Sequence, residues 1–214
     1  NTAAYTDVNK AEIDKENAEN INSKAVKMLA KYCKIYNTLF IHFSTDYVFS
    51  GNTKKPYLES DEPDPINFYG ITKLNGERYL QKSGTDYIIF RTSWLYGDSK
   101  LNFVNKIAVL IKKKNELFVT SKEQGSPTPT TLIVDVLNDL IKFDKLYLIK
   151  NRIINLCSTG YVSRYDLANE ILKIQHKHNL NKSQTKISIQ NNQTKVSVRR
   201  PAFSALDNTF IQEK

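Results

Sequence analysis

Glycine is scarce in this chain of 214 residues: there are seven, at positions 51, 70, 76, 84, 97, 125 and 160, and none falls into a GxGxxG or GxxGxxG spacing. A backbone loop that cradles a pyrophosphate needs closely spaced glycines at a strand-to-helix turn, so none is predicted within these residues. Cysteine is as rare. Cys33 and Cys157 lie far apart and outside any CxxC, which excludes a disulfide framework and fits a reducing, cytoplasmic compartment. The histidines are His42, His176 and His178; no Cys/His spacing suits zinc, and no metal is predicted. No apolar run nears the ~20 residues of a membrane helix. The segment from Asn1 to Asp7 has neither the basic nor the apolar region of a secretory signal and carries no initiator Met. It reads as the start of a chain that begins part-way through a larger protein.

What is present is the composition of a globular α/β protein: 40% hydrophobic, 11% aromatic and 25% charged residues, enough apolar side chain for a sizeable core. The net charge is +9, and its excess is lysine, with 25 Lys against 6 Arg. The lysines are scattered, apart from Lys112-Lys113-Lys114, and Arg, the usual bidentate reader of phosphate and guanine, is sparse. That pattern argues against a nucleic-acid partner.

Along the chain, helical and strand signals alternate. Residues 17–36 are predicted helical, with Ile21, Ala25, Met28, Leu29 and Tyr32 at helical spacing. Residues 39–43 form an apolar strand ending at Ser44-Thr45-Asp46. Asn67 is placed to cap a helix carrying Tyr69, Lys73, Glu77 and Leu80. Residues 87–90 form a second buried strand, running into Thr92-Ser93-Trp94. Helices are predicted over 101–114, 130–143 and 163–176, and strands over 117–119 and 153–157, with an edge strand at Ile187 and Ile189. Residues 124–129 read as a rigid loop. The alternation predicts α/β architecture with a parallel sheet, whose ligands bind beyond the carboxyl ends of the strands. Two such ends carry Ser44, Thr45 and Asp46, and Thr92, Ser93 and Trp94.

Tyr69 and Lys73 sit four apart, on one face of their helix. A phenol titrates near pH 10, and a lysine ammonium on that face favours its ionised form, at ~1.4 kcal/mol per pKa unit. A Ser or Thr hydroxyl, here from Ser44-Thr45, can orient the phenol and a substrate carbonyl. The set suits proton donation to a ketone as a hydride arrives from a nicotinamide. A Tyr and a Lys at this offset recur by chance in many helices; the preceding strand end with Ser-Thr is what discriminates.

With that context the chain resembles the extended short-chain dehydrogenase/reductases, within them the branch that reduces nucleotide-linked 4-keto-6-deoxy sugars. The matching residues are Asn1 to Thr6 with Val8, Lys10, Ala11 and Glu12; Asn22; Ser44 to Phe49 with Gly51; Pro56-Tyr57, Glu59, Pro65, Asn67, Tyr69-Gly70, Lys73 and Gly76-Glu77; Arg91 to Tyr96; Gly125 to Thr128; and Arg200-Pro201, Ser204 and Leu206. The resemblance implies an incomplete Rossmann-like parallel sheet in residues 1–97. It places a small, mainly substrate-binding α/β region in 98–214, of which 129–157 returns to the sheet. It implies NADPH or NADH as cofactor and a nucleotide sugar as substrate. Tyr69 would be the general acid, Lys73 its pKa modifier and the holder of the nicotinamide ribose, and Thr45 would position the tyrosine. Ala3, Ala4 and Tyr5 would line the cofactor. Asp46 and Trp94 would contact the deoxysugar, and Arg200 would reach the diphosphate.

The family's pattern opens with a glycine-rich loop that these residues lack, and relatives usually carry Asp where Lys122 stands. The sequence leaves open a fragment or split gene product, a remnant, a homodimer, and assembly with an N-terminal partner chain. A non-catalytic regulatory subunit of the same fold, such as that of methionine adenosyltransferase, also stays open.

Overall fold

The computed structural model describes residues 1–99, 102–180, 184–190 and 198–214. The chain opens with two short helices, α1 (Val8–Ala11) and α2 (Lys15–Glu19); a π-helical turn (Asn20–Lys24) joins α2 to α3 (Ala25–Ile35). β1 (Phe40–Thr45), α4 (Phe68–Gln81), β2 (Tyr87–Thr92) and the two-residue β3 (Leu95–Tyr96) follow. Next come α5 (Phe103–Ile111), β4 (Glu116–Val119), β5 (Gln124–Gly125), β6 (Thr128–Pro129) and α6 (Thr130–Lys142). The chain finishes with β7 (Arg152–Asn155), β8 (Val162–Ser163), α7 (Arg164–Lys177), β9 (Lys186–Ile189) and α8 (Thr209–Gln212).

β1, β2 and β7 form a parallel sheet in the order β1-β2-β7, with Thr45 opposite Thr92 and Arg91 opposite Asn155. These strands are near-continuous apolar runs because helices cover both faces. Side chains alternate between the faces. Ile88 and Phe90 join Ile154, Ile133 and Leu140 under α6. Phe40 and Ile89 join Val26, Ala30 and Leu80 under α3 and α4. A separate cluster, Ile107, Ile111, Leu117, Val119, Ala168, Ile171 and Ile187, knits α5, α7 and the parallel pair β4-β9.

The helix predicted over 17–36 comes as α2, the π-helical turn and α3. Its buried face is not the apolar stripe. Ala18, Asn22, Ser23, Val26 and Ala30 are buried, whereas Met28 and Tyr32 are 55% and 52% exposed. The inward face carries small and polar residues because it meets α4 closely: the Ser23 hydroxyl donates to the Thr72 carbonyl and the Asn22 amide to the Thr72 hydroxyl. The helix predicted from 101 starts at Phe103, since the Asn102 side chain accepts the Asn105 amide and caps it; Leu101 lies outside the described residues. The predicted loop 124–129 contains β5, which pairs antiparallel with β8, and β6, which pairs with β3. The C-terminal stretch packs into the fold. Phe203, Ser204, Ala205 and Leu206 are buried, and backbone bonds tie this stretch to Tyr57 and Gln124. Among the described residues no helix is long and apolar enough to cross a membrane.

Candidate active site at the strand ends

The register that sets Thr45 beside Thr92 brings two polar strand ends to one level. Beyond β1 the chain enters a turn over Asp46–Val48, initiated by the Thr45 hydroxyl accepting the Tyr47 amide at 3.2 Å. The same hydroxyl donates to Asp46 Oδ1 at 3.0 Å, and the Ser93 hydroxyl donates to Asp46 Oδ2 at 3.1 Å. Asp46 is 3% exposed. Burial pushes its carboxyl up to about 6, against hydrogen bonds from Ser204, Thr45 and Ser93 and the charge of Arg164.

Asn67 caps α4 by accepting the Gly70 amide at 2.8 Å. At Gly70 a Cβ would sit 2.2 Å from the Tyr47 carbonyl oxygen, so only glycine lets α4 seat on the turn after β1. That contact sets the half-buried Tyr69 beside Tyr47, edge-on at 5.9 Å between ring centroids. Burial pushes the Tyr69 phenol up to about 12; a hydrogen bond with Thr45 opposes this and the charge of Asp46 adds to it. One turn on, the buried Lys73 donates from Nζ to the Phe43 carbonyl at 2.6 Å. Burial lowers its ammonium to about 8, opposed by the charge of Glu77. Glu77, a further turn along, accepts from the Ser44 hydroxyl and from Arg91 Nε and Nη2 at 3.1 and 2.7 Å.

Tyr69, Thr45 and Asp46 therefore converge, with Lys73 one turn along α4 on the Phe43 carbonyl; against the expectation that Lys73 favours the ionised phenol, burial dominates at Tyr69 and the lysine charge is not among the influences on it. Tyr5 reaches this group through Asn22: its amide donates to the Asn22 carboxamide at 2.8 Å, which itself donates to Thr72, and Thr72 donates to the Tyr69 carbonyl at 2.9 Å. Ala3 and Ala4 lie on the same segment, whose start runs along β1, with the Phe43 amide donating to the Asn1 carbonyl at 3.4 Å. Trp94 follows Ser93 with a left-handed backbone, φ 44°, and its ring lies against Gly125, where a Cβ would approach it to 2.5 Å. Arg200 donates from Nη2 to Asn9 at 3.0 Å, and the Asn67 amide donates to the Arg199 carbonyl at 3.0 Å, tying the arginine pair to the start of α4. Arg200 stands near enough for its charge to act on Tyr47.

Sequence reasoning placed Ser93 at the ligand end of β2 but gave no site role to Arg164, Glu77 or Arg91. Glu77 carried a usable signal, an opposite charge four residues past Lys73; Arg164 carried none. A shallow depression of about 340 Å³ lined by Tyr87, Asn151, Arg152 and Phe210 lies at the opposite ends of the strands and includes no site residue. Among the described residues no cluster of His, Cys, Asp and Glu is able to hold a metal ion.

The model of the family described as the RmlD substrate binding domain matches residues 1–214. Escherichia coli (strain K12) dTDP-4-dehydrorhamnose reductase is 44% identical over 135 residues, 63% of this chain and 45% of that protein. The crystal structure of a dTDP-4-dehydrorhamnose reductase from Clostridium acetobutylicum superposes with a TM-score of 0.87 at 32% identity, covering 99% of this chain and 71% of that one. The dTDP-4-dehydrorhamnose reductase of Bacillus anthracis, solved in complex with NADP, gives 0.86 at 29% identity over the same shares. The chain thus spans about half the length of the curated relatives it matches, and it has the Rossmann-like fold of these reductases.

Proposed function

Because the chain belongs to the RmlD substrate binding domain family, we propose that it carries the acid–base and sugar-binding centre of a dTDP-4-dehydrorhamnose reductase. The reaction is the NADPH- or NADH-dependent reduction of dTDP-4-dehydro-6-deoxy-L-mannose to dTDP-L-rhamnose. The observation that carries this reading is the seating of α4 against the end of β1, which sets Tyr69 on Thr45 beside Asp46 and Lys73 on the Phe43 carbonyl. A cytoplasmic setting goes with it, in keeping with the free Cys33 and Cys157. So do a nucleotide-sugar substrate and assembly as a homodimer or with an N-terminal partner chain.

The residues present fit the nicotinamide end of the cofactor. The Lys73 ammonium has three N–H donors and gives one to the Phe43 carbonyl, leaving donors for ribose hydroxyls; Ala3, Ala4 and Tyr5 would line the same end. Bound NADPH or NADH would supply a hydride to C4 of the sugar. Tyr69 gives its proton to the ketone oxygen. With its phenol held up at about 12, Tyr69 keeps that proton at neutral pH, which is the form reduction requires. The Thr45 hydroxyl then turns its one proton from Asp46 to the phenolate, while Lys73, held on the Phe43 carbonyl, serves the cofactor end of the site. Asp46 and Trp94 hold the deoxysugar, and Arg200 engages the diphosphate.

Tyr69→Phe tests this. General acid catalysis contributes ~10²–10⁴-fold, so kcat should fall by about that factor while affinity for the nucleotide sugar stays within about twofold. Unchanged turnover in the mutant would discard the mechanism. Absence of sugar reduction by the unmutated protein, with co-purification of a larger enzyme, would favour the regulatory reading.

A further inference from the structure

Three elements of the small α/β region converge on a single indole. Arg164, the first residue of α7, places its guanidinium carbon 3.5 Å from the centroid of the Trp94 ring and 4.6 Å from that of Phe103, the first residue of α5. Its Nε lies 3.6 Å from the Glu123 carboxylate, and its backbone amide donates to the Glu123 carbonyl at 3.1 Å. Glu123 directly precedes β5, whose Gly125 floors the indole. The side chains of Arg164 and Glu123 keep only 15% and 22% of their surface exposed. A tryptophan at φ 44° is in a backbone region that L residues with bulky side chains rarely adopt, and such strain persists only where the surroundings over-determine it. Arg164 is the side chain best placed to do so. A planar guanidinium stacks on an aromatic face as an ammonium cannot. Its charge also acts on Asp46 and Tyr47, so the stacked cation belongs to the neighbourhood of the strand ends.

We propose that Arg164 is a substrate-positioning residue that, stacked between Trp94 and Phe103 and tethered to Glu123, fixes the orientation of the indole against which the deoxysugar is held. Its effect falls on sugar affinity and leaves proton transfer at Tyr69 alone. The substrate half of this proposal rests on the reductase reading.

Trp94 is the only tryptophan in the chain, so its emission reports on this site without any turnover. The experiment compares the unmutated protein with Arg164→Lys, which keeps the charge and loses the plane, and Arg164→Leu, which loses both. Acrylamide quenching of Trp94 emission is measured first. The quenching constant should rise at least twofold in both variants, while far-UV circular dichroism stays unchanged. dTDP-L-rhamnose and dTDP are then titrated separately, again following Trp94. Affinity for dTDP-L-rhamnose should fall about fivefold to tenfold in both variants, the range expected for a partly desolvated cation–aromatic stack, while affinity for dTDP stays within about twofold. In turnover the loss should appear in KM with kcat retained. Unchanged quenching in both variants overturns the proposal, because the indole is then held without Arg164. Raised quenching with unchanged sugar affinity overturns the positioning role, and equal losses for dTDP and the sugar nucleotide make Arg164 a diphosphate ligand instead. Failure of the unmutated protein to respond to dTDP-L-rhamnose sinks the reductase reading and the substrate half with it; the quenching arm still decides whether Arg164 holds the indole.

Discussion

Glu77→Ala removes the buried carboxylate that ties α4 to the sheet. Glu77 is 0% exposed and its partner Arg91 is 1% exposed. Two Arg91 nitrogens reach the two carboxylate oxygens at 3.1 and 2.7 Å, and the Ser44 hydroxyl donates to the same group. The guanidinium lies 5.0 Å from the Phe49 ring, and its Nη1 has no hydrogen-bond partner among the described residues. Without the carboxylate, Arg91 keeps its charge in a closed interior, where among the described residues Glu77 is its ion-pair partner. Breaking a buried pair from one side costs about 3–5 kcal/mol. At about 2–4 °C per kcal/mol for a chain of this size, the melting temperature should fall by about 6–20 °C. Removing both charges has a different consequence: the double variant Glu77→Ala/Arg91→Met leaves no orphaned charge and should recover at least half of the loss. The assay is urea and thermal unfolding of the unmutated protein, both single variants and the double variant, followed by circular dichroism. Additivity of the two single effects within about 0.5 kcal/mol would refute the reasoning, since contacting residues that act as a unit must couple.

His42 is fully buried, its Nε2 without a hydrogen-bond partner among the described residues, and burial first, then the charge of Lys73, lowers its pKa to about 2. The unfolded chain takes up this proton below about 6.5 and the folded chain does not. The His42 contribution is therefore complete above that pH and falls by about 1.4 kcal/mol per unit toward pH 2. Asp46 works in the opposite sense, since a carboxyl raised to about 6 favours the fold as pH drops from 6 toward 4. His42→Leu should flatten or reverse the decline in urea midpoint between pH 6.5 and 4, and an unaltered slope would contradict this account. Gly70→Ala forces a Cβ to within 2.2 Å of the Tyr47 carbonyl, a backbone atom that cannot step aside. It should destabilise by about 1–3 kcal/mol and, by shifting Tyr69, lower kcat by more than about tenfold; activity within twofold of the unmutated protein would show that α4 seats without the glycine.

The sheet and the chemistry at its end were legible because their signals are local. Apolar runs at 39–43 and 87–90, each closing on hydroxyl residues, mark buried parallel strands and the end where ligands bind. Asn67 before Tyr69 and Lys73 marks a capped helix with both groups on one face. What escaped was set by close packing and distant pairing. The stripe of Ile21, Met28, Leu29 and Tyr32 gave the helix its period but not its buried side, because the π-helical turn and α3 meet α4 through Asn22, Ser23 and Val26. Hydrophobic spacing reports a face only where burial is driven by apolar area, and a polar, hydrogen-bonded helix contact carries no such pattern. Arg164 was invisible for a related reason: an arginine at the start of a helix reads as solvated until the fold supplies Trp94 and Phe103 as its walls.

The same distinction accounts for how the site is held. The Thr45 hydroxyl meets Tyr69 and Asp46, Asp46 meets Ser93, and the Ser93 hydroxyl accepts the Ser126 amide at 3.4 Å. Ser126 directly follows β5, which pairs with β8, while Ser204, arriving from the C-terminal stretch, adds a further bond to Asp46. The residues nominated for proton transfer thus come from 45–73, whereas the carboxylate beside them is partnered from 93 and 204 as well as from Thr45. A buried acid raised only to about 6, when burial alone would lift it further, owes the difference to Ser204, to the adjacent Thr45, to Ser93 and to the charge of Arg164. The ionisation of Asp46 therefore depends on how the small α/β region and the C-terminal stretch dock onto the strand ends, and the acid–base centre is tuned from sequence positions that carry no acid–base motif of their own.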